Sequence, residues 1–94
     1  MNLITFLFDM DAEDQSEFVQ AIEELKESWR SQGLTISLFR DTTRADRFLQ
    51  IFLTEKTVDE LTEMIQQDTH ARVVFEKIRD SQSRVVVACM EQIL

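Results

Sequence analysis

The sequence predicts an α+β fold in which a four-stranded antiparallel sheet carries its helices on one face. Three observations lead to this prediction. Apolar runs and amphipathic stretches follow one another in the order strand, helix, strand, strand, helix, strand. The length of 94 residues suits one domain over residues 1–94. Both faces of the predicted strands are apolar, although two helices cover only one face of such a sheet.

The first half of the chain is predicted to form a strand, a helix and a second strand. Residues 3–8 are an apolar run rich in aromatic and β-branched residues, which is typical of a strand. Carboxylates follow it, as is favourable at a helix start, and the helix is predicted over residues 13–31. Gly33 suits the left-handed residue that ends a helix, and residues 34–40 alternate as a second strand. One helical stripe is expected to face the sheet: Phe18, Ile22, Leu25 and Trp29.

The second half continues with a hairpin and two helices. A polar loop at residues 41–46 leads to a third strand, residues 47–54. Thr57 and Glu60 form a capping box, so a helix is predicted from there to about Gln67. Inward-facing residues are expected to be Val58, Leu61, Met64 and Ile65 in this helix, and Val74, Phe75 and Ile78 in a short helix that follows it.

The end of the chain completes the pattern. Asp68 or Thr69 is expected to cap the short helix over residues 71–78, with a break at residues 81–83. Residues 84–90 are apolar on both sides and predict a fourth strand. Two strand–helix–strand crossovers joined by a hairpin give a ferredoxin-like βαββαβ sandwich, with strand order four, one, three, two.

The uncovered sheet face predicts a partner. On the second and third strands, one set of alternating positions is aliphatic and the other carries Phe39, Phe48 and Phe52. An exposed apolar face of this size is rare on a monomer, and the chain has no spare helix to cover it. We therefore expect a homodimer in which two sheets pack face to face.

Composition narrows the functional classes. The net charge of −8 argues against partners whose phosphates need Lys and Arg, so neither nucleic acid nor a membrane surface is expected. No apolar run approaches the roughly 20 residues of a membrane span, and no signal peptide is recognised, so a cytoplasmic location is predicted. Cys89 is the only cysteine and is expected to be buried and unreactive. With one histidine, no metal site is expected.

Short phrases over nearly the whole chain carry a family resemblance. They are residues 31–34, 38–41, 48–56, 58–61 and 68–70, together with Phe18 and Phe75. In these phrases and in element order, the sequence resembles the antibiotic-biosynthesis-monooxygenase-like group of the dimeric α+β barrel proteins. The resemblance implies an active cleft between sheet and helices, and members include cofactor-free oxygenases of aromatic polyketides or quinols and haem-degrading enzymes. In those enzymes an asparagine falls near Phe6, a tryptophan at Phe52 and a haem-ligating histidine near Phe75. Because phenylalanine neither ligates iron nor hydrogen-bonds a quinol oxygen, no cofactor is expected here.

The candidate site residues follow from this resemblance and from residue chemistry. His70 is the candidate catalytic general base, with helix capping or simple exposure as alternatives. A flat hydrophobic molecule would be bound by Phe6, Trp29, Phe48, Phe52 and Phe75, although core packing also explains these rings. Two main functions remain open: a cofactor-independent monooxygenase of a small hydrophobic aromatic or quinol-type compound, and a non-catalytic ligand-binding or sensing homodimer. A purely structural protein partner is the third alternative.

Overall fold

The elements of the chain follow the predicted order. The computed structural model describes residues 1–80 and 84–94, so the break expected at residues 81–83 lies outside the described residues. The elements are β1 (Asn2–Asp9), α1 (Ala12–Arg30), β2 (Thr35–Arg40), β3 (Arg47–Thr54), α2 (Val58–Gln67), α3 (Thr69–Asp80) and β4 (Val86–Glu91). Each predicted helix and strand is therefore present, with bounds shifted by one or two residues at most ends.

The four strands form one antiparallel sheet in the order β2-β3-β1-β4. This is the predicted order, and the helices lie on one face of the sheet. The ferredoxin-like βαββαβ sandwich is therefore confirmed. The central strands β1 and β3 pair over their full length, from Asn2 opposite Thr54 to Asp9 opposite Arg47.

The predicted caps at the start of α2 and the end of α1 are formed. At the start of α2, the Glu60 N–H donates to Thr57 Oγ1 at 3.2 Å, and the Thr57 N–H donates to Glu60 Oε1 at 3.1 Å. After α1, Gly33 adopts a φ of +84°, which a residue with a Cβ rarely adopts. The Leu34 N–H then donates to the Trp29 carbonyl at 3.2 Å, the long bond that closes a Schellman ending.

The core lies between the helices and one side of the sheet. All four residues of the predicted α1 stripe are buried, as are Ala71, Val74, Phe75 and Ile78 of α3. From the sheet, the buried apolar residues are Ile4, Phe8, Ile36, Phe48 and Phe52. The alternation of the strands therefore places one set of side chains under the helices.

The other set forms a surface that we call the outer face. Cα pairing places it in three rows of four: Thr35, Leu53, Leu3 and Met90; Ser37, Ile51, Thr5 and Ala88; Phe39, Leu49, Leu7 and Val86. None of these residues is charged, and Phe39 is 55% exposed and Met90 62% exposed. The prediction that grouped Phe39 with Phe48 and Phe52 is wrong, because the β2–β3 register sets Phe39 opposite Leu49.

The fourth strand is covered least. It begins at Val86 rather than at residue 84, and most of its residues are exposed. Cys89 is exposed, which contradicts the expected burial, because β4 is an edge strand that lies opposite β1 beyond the helix layer. No helix in the described part of the chain is both long enough and apolar enough to cross a membrane. The cytoplasmic location stays a prediction.

Candidate functional site

Four of the five predicted substrate-binding rings meet in one place. We call Phe6, Trp29, Phe52 and Phe75 the aromatic cluster. The Phe6 ring meets Phe52 edge-on at 5.3 Å between centroids and Phe75 at 5.9 Å, while Trp29 and Phe75 stack at 6.4 Å. Trp29 and Phe52 are fully buried, whereas Phe6 is half-buried. The cluster therefore joins the core to the protein surface at Phe6.

An open cleft begins at this surface end of the aromatic cluster. It has a volume of about 220 Å³ and lies between strands β1 and β4 and helix α3. We call it the β1–α3 cleft, and its lining residues are Phe6, Phe75, Ile78, Val85 and Val87. All five are apolar, so the cleft can hold a hydrophobic molecule by contact and ring stacking. None of its lining residues can transfer a proton.

A single carboxylate holds the helices around the aromatic cluster. Asp68 Oδ1 accepts the Ala71 N–H at 3.1 Å, so Asp68 is the N-cap of α3, as expected. Asp68 Oδ2 accepts the Trp29 Nε1–H at 3.1 Å, a bond across 39 residues of sequence. The Ala71 N–H and the Trp29 indole hold the pKa of Asp68 below its usual value, outweighing the opposing effect of partial burial. Asp68 therefore fixes both α3 and the Trp29 ring.

Phe48 lies in a different part of the core. Its ring is stacked on Phe8 at 5.9 Å and lies 6.5 Å from Phe18, away from the aromatic cluster. The Arg40 guanidinium sits 5.2 Å above the Phe48 ring, a cation–π contact at the hairpin end of the sheet. The structure therefore does not bring Phe48 together with the other predicted substrate-binding residues.

His70 lies outside the β1–α3 cleft. It lines a separate groove of about 110 Å³ between α1 and α3, together with Glu17, Ala21 and Lys77 among others. Its Nε2 is 3.6 Å from Glu24 Oε2, and both side chains are largely exposed. Protonated His70 would therefore form a surface ion pair with Glu24. From this position, His70 does not line the β1–α3 cleft and does not face a ligand bound there.

Carboxylates gather at the start of α1. Among the described residues, Asp11, Glu13 and Asp14 place one oxygen each within 4.8 Å of one another, and all three are exposed. The free amides and positive dipole end of α1 account for acidic residues at this position. Nothing else at this end of α1 indicates a metal site.

Sequence reasoning missed Gln50 as a site residue. Gln50 is fully buried on the helix side of β3, and its Nε2 donates to the Ser37 carbonyl at 2.9 Å. Its Oε1 is buried and has no hydrogen-bond partner in the described part of the chain. The alternation of β3 places Gln50 on the core face with Phe48 and Phe52. A glutamine at a core position was the sequence signal that could have identified this residue.

Solved structures share this fold over the whole chain. A protein from Nitrosomonas europaea, assigned by name to the antibiotic biosynthesis monooxygenases, superposes with a TM-score of 0.75 at 13% identity, covering 100% of both chains. A protein from Deinococcus radiodurans with the same assigned name superposes with a TM-score of 0.73 at 10% identity, covering 98% of this chain and 92% of that one. Rv0793 from Mycobacterium tuberculosis gives 0.70 at 8% identity, covering 99% and 96%.

Sequence comparison adds nothing to these likenesses. No protein-family model matches the sequence, and no curated protein matches it. The superpositions establish a shared fold, but at identities this low they leave the reaction open. The chain has the fold of solved structures that are assigned by name to the antibiotic biosynthesis monooxygenases.

Proposed function

We propose that this protein is a homodimer in which each subunit binds a small, flat, hydrophobic molecule in the β1–α3 cleft. The observation that carries the proposal is the lining of that cleft, which is apolar at every position and ends on the aromatic cluster. The volume of about 220 Å³ exceeds the roughly 150 Å³ of an apolar cavity that admits benzene. A ligand of one or two fused rings therefore fits.

Binding without turnover is the function that the geometry supports best. A reaction in the cleft would have to rely on the ligand's own reactivity, because the lining residues hold no acid, base or nucleophile. His70, the expected general base, faces the other groove.

Oxygenation without a cofactor is the second candidate, and the names of the structural neighbours favour it. In such a reaction an activated CH₂ group of the substrate becomes a carbonyl. Both C–H bonds break, one atom of O₂ becomes the carbonyl oxygen, and the other leaves as water with both hydrogens. The substrate supplies the electrons, so no reductant is needed. The protein would contribute an apolar chamber and orientation.

The homodimer is proposed from the outer face. Each copy has a net charge of −8, so two copies are expected to meet through a surface without carboxylates, where like charges are not brought into direct contact. The three rows of the outer face carry no charge and expose Phe39, Val86 and Met90 to water in a lone subunit. A second copy placed face to face removes these side chains from water. Sedimentation at micromolar concentration is expected to give twice the chain mass of 11.1 kDa.

Ligand binding is tested by equilibrium dialysis with 1-methylnaphthalene, using purified protein in the absence of detergent. We expect saturable binding that Phe75→Ala weakens by about tenfold, because the variant removes one wall of the cleft. Val73→Ala is the matched control, since Val73 lies on the same helix but is exposed and lines the other groove. The absence of saturable binding, or equal loss in both variants, contradicts the proposal.

Turnover is tested separately with an oxygen electrode. Wild-type protein, Phe75→Ala and His70→Ala are incubated with quinols and with one-ring or two-ring aromatics that carry an activated CH₂ group. Oxygen uptake that Phe75→Ala abolishes would establish the second candidate in place of binding alone. Oxygen uptake that His70→Ala also abolishes would place catalysis in the α1–α3 groove instead. Binding with no oxygen uptake across the panel supports the first.

A further inference from the structure

Gln50 is the one buried polar side chain that the fold leaves half-satisfied in the described part of the chain. Its amide nitrogen is held by the Ser37 carbonyl of β2 at 2.9 Å. Turning the amide over would set two oxygens against each other, so the oxygen is the free end. A buried carbonyl without a donor is costly, so a donor that reaches it is bound with a clear preference.

The free oxygen belongs to a residue directly beside the β1–α3 cleft. On the helix side of the sheet, cross-strand pairing forms a row of Leu38, Gln50, Phe6 and Val87. Phe6 and Val87 line the cleft, and Gln50 is the next residue of that row, one strand spacing of about 4.8 Å from Phe6. The half-buried Phe6 is thus the only residue of this row between Gln50 and the cleft.

Phe6 can give way more readily than its neighbours. Its ring touches Phe52 and Phe75 by its edge rather than lying flat under a helix, and it is half-buried where they are buried. A ligand ring that enters the cleft can replace those edge contacts as it displaces Phe6. The displaced ring would uncover the Gln50 amide to the ligand.

We propose that Gln50 determines ligand specificity, by accepting through Oε1 a hydrogen bond from a hydroxyl group on the aromatic ligand. This rests on the proposed function and names the ligand class more narrowly, as a phenol-type compound rather than a hydrocarbon. A site built around an unpaired acceptor discriminates against analogues that lack the donor. Gln50 selects the ligand and takes part in no proton transfer.

The test compares two ligands of nearly equal shape, 1-naphthol and 1-methylnaphthalene, in which a methyl group replaces the hydroxyl. Equilibrium dialysis gives both dissociation constants for the wild type, Gln50→Met and Thr54→Val. The preference for 1-naphthol is the dissociation constant of 1-methylnaphthalene divided by that of 1-naphthol. We expect this ratio to be about tenfold larger in the wild type than in Gln50→Met. Thr54→Val should keep the wild-type ratio, because Thr54 is a buried polar residue on the same face of β3 at the far end of the sheet.

Each outcome has a distinct meaning. If both ligands bind and Gln50→Met leaves the ratio unchanged, the role of Gln50 is refuted while the cleft proposal stands. If neither ligand binds, the cleft proposal fails and the role of Gln50 falls with it. Gln50→Met removes the unsatisfied acceptor and also the donor to the Ser37 carbonyl, so urea unfolding is used to check that the variant folds. If it unfolds instead, an equal affinity of the wild type for the two ligands is enough to refute the proposal.

Discussion

The two faces of the sheet share strands but differ in their surroundings. Phe52 is fully buried under the helices, whereas Leu53, the next residue of β3, is 39% exposed on the outer face. Both faces consist mainly of apolar residues, yet only one has helices to cover it. When both alternating sets of strand positions are apolar, the sequence therefore contains more apolar sheet surface than the helices of one subunit cover. The buried face explains how the chain folds, and the outer face is the surface from which the homodimer is proposed.

The largest expected effect breaks the buried face. Phe52→Ala removes a ring from the centre of the core, and we expect the free energy of unfolding to fall by about 3–5 kcal/mol. Phe39→Ala is the matched change on the outer face, where the ring is expected to stabilise the proposed dimer rather than the subunit. The loss in free energy of unfolding caused by Phe39→Ala should therefore grow with protein concentration, while the loss caused by Phe52→Ala should not. Urea unfolding at several protein concentrations measures both, and equal losses for the two variants would contradict the distinction.

The next effect breaks the outer face. Leu53→Asp places a charge in the proposed interface, and we expect the dimer dissociation constant to rise by at least about a hundredfold. Val19→Asp is the control, because Val19 on α1 is also an aliphatic residue that is 39% exposed. Analytical ultracentrifugation should find Leu53→Asp dissociated and Val19→Asp dimeric. A wild type that sediments as a single subunit at micromolar concentration would refute the interface.

A smaller effect concerns how the helices are held over the buried face. Thr57→Ala removes a helix cap alone and should lower the free energy of unfolding by about 1 kcal/mol. Asp68→Ala removes the cap of α3 and also the hydrogen bond to Trp29, so we expect a loss of about 2 kcal/mol. Thermal or urea unfolding compares them. Equal losses would mean that the bond between Asp68 and Trp29 adds no stability.

The smallest effect depends on pH. Because the pKa of Asp68 is lowered in the folded protein, its ionised form stabilises the fold above its unfolded pKa, near the ordinary aspartate value of 3.8. That contribution is lost as pH falls from about 5 through the folded pKa. The stability difference between wild type and Asp68→Asn should therefore shrink over this range. The pKa of Asp41 is also lowered in the folded protein. Asp41→Asn is therefore the control variant, and it should leave unchanged the pH-dependent stability difference that is measured with Asp68→Asn.

Much of the fold was predictable because its signals are local. The helical spacing from Phe18 to Trp29 predicts a stripe that is buried in full. The capping box at Thr57 and Glu60 locates the start of α2, and both hydrogen bonds are present. Such features depend on residues three or four apart, where periodicity and capping chemistry act.

The misses come from relations between distant residues. Phe39 was assigned to the wrong face because its side depends on how β2 pairs with β3 across the hairpin, and alternation within one strand leaves that register open. Cys89 is exposed on β4, which is an edge strand paired with β1 alone, and no local pattern encodes that position. The bond between Trp29 and Asp68 and the free oxygen of Gln50 are also tertiary features.

The position of Trp29 has a practical consequence. It is the chain's only tryptophan, and the chain has no tyrosine, so its ultraviolet emission comes almost entirely from one indole. That indole stacks on Phe75, which also lines the β1–α3 cleft, and its N–H is hydrogen-bonded to the Asp68 carboxylate. The protein therefore carries an intrinsic optical reporter next to its candidate site, and occupancy there can be followed without attaching a dye.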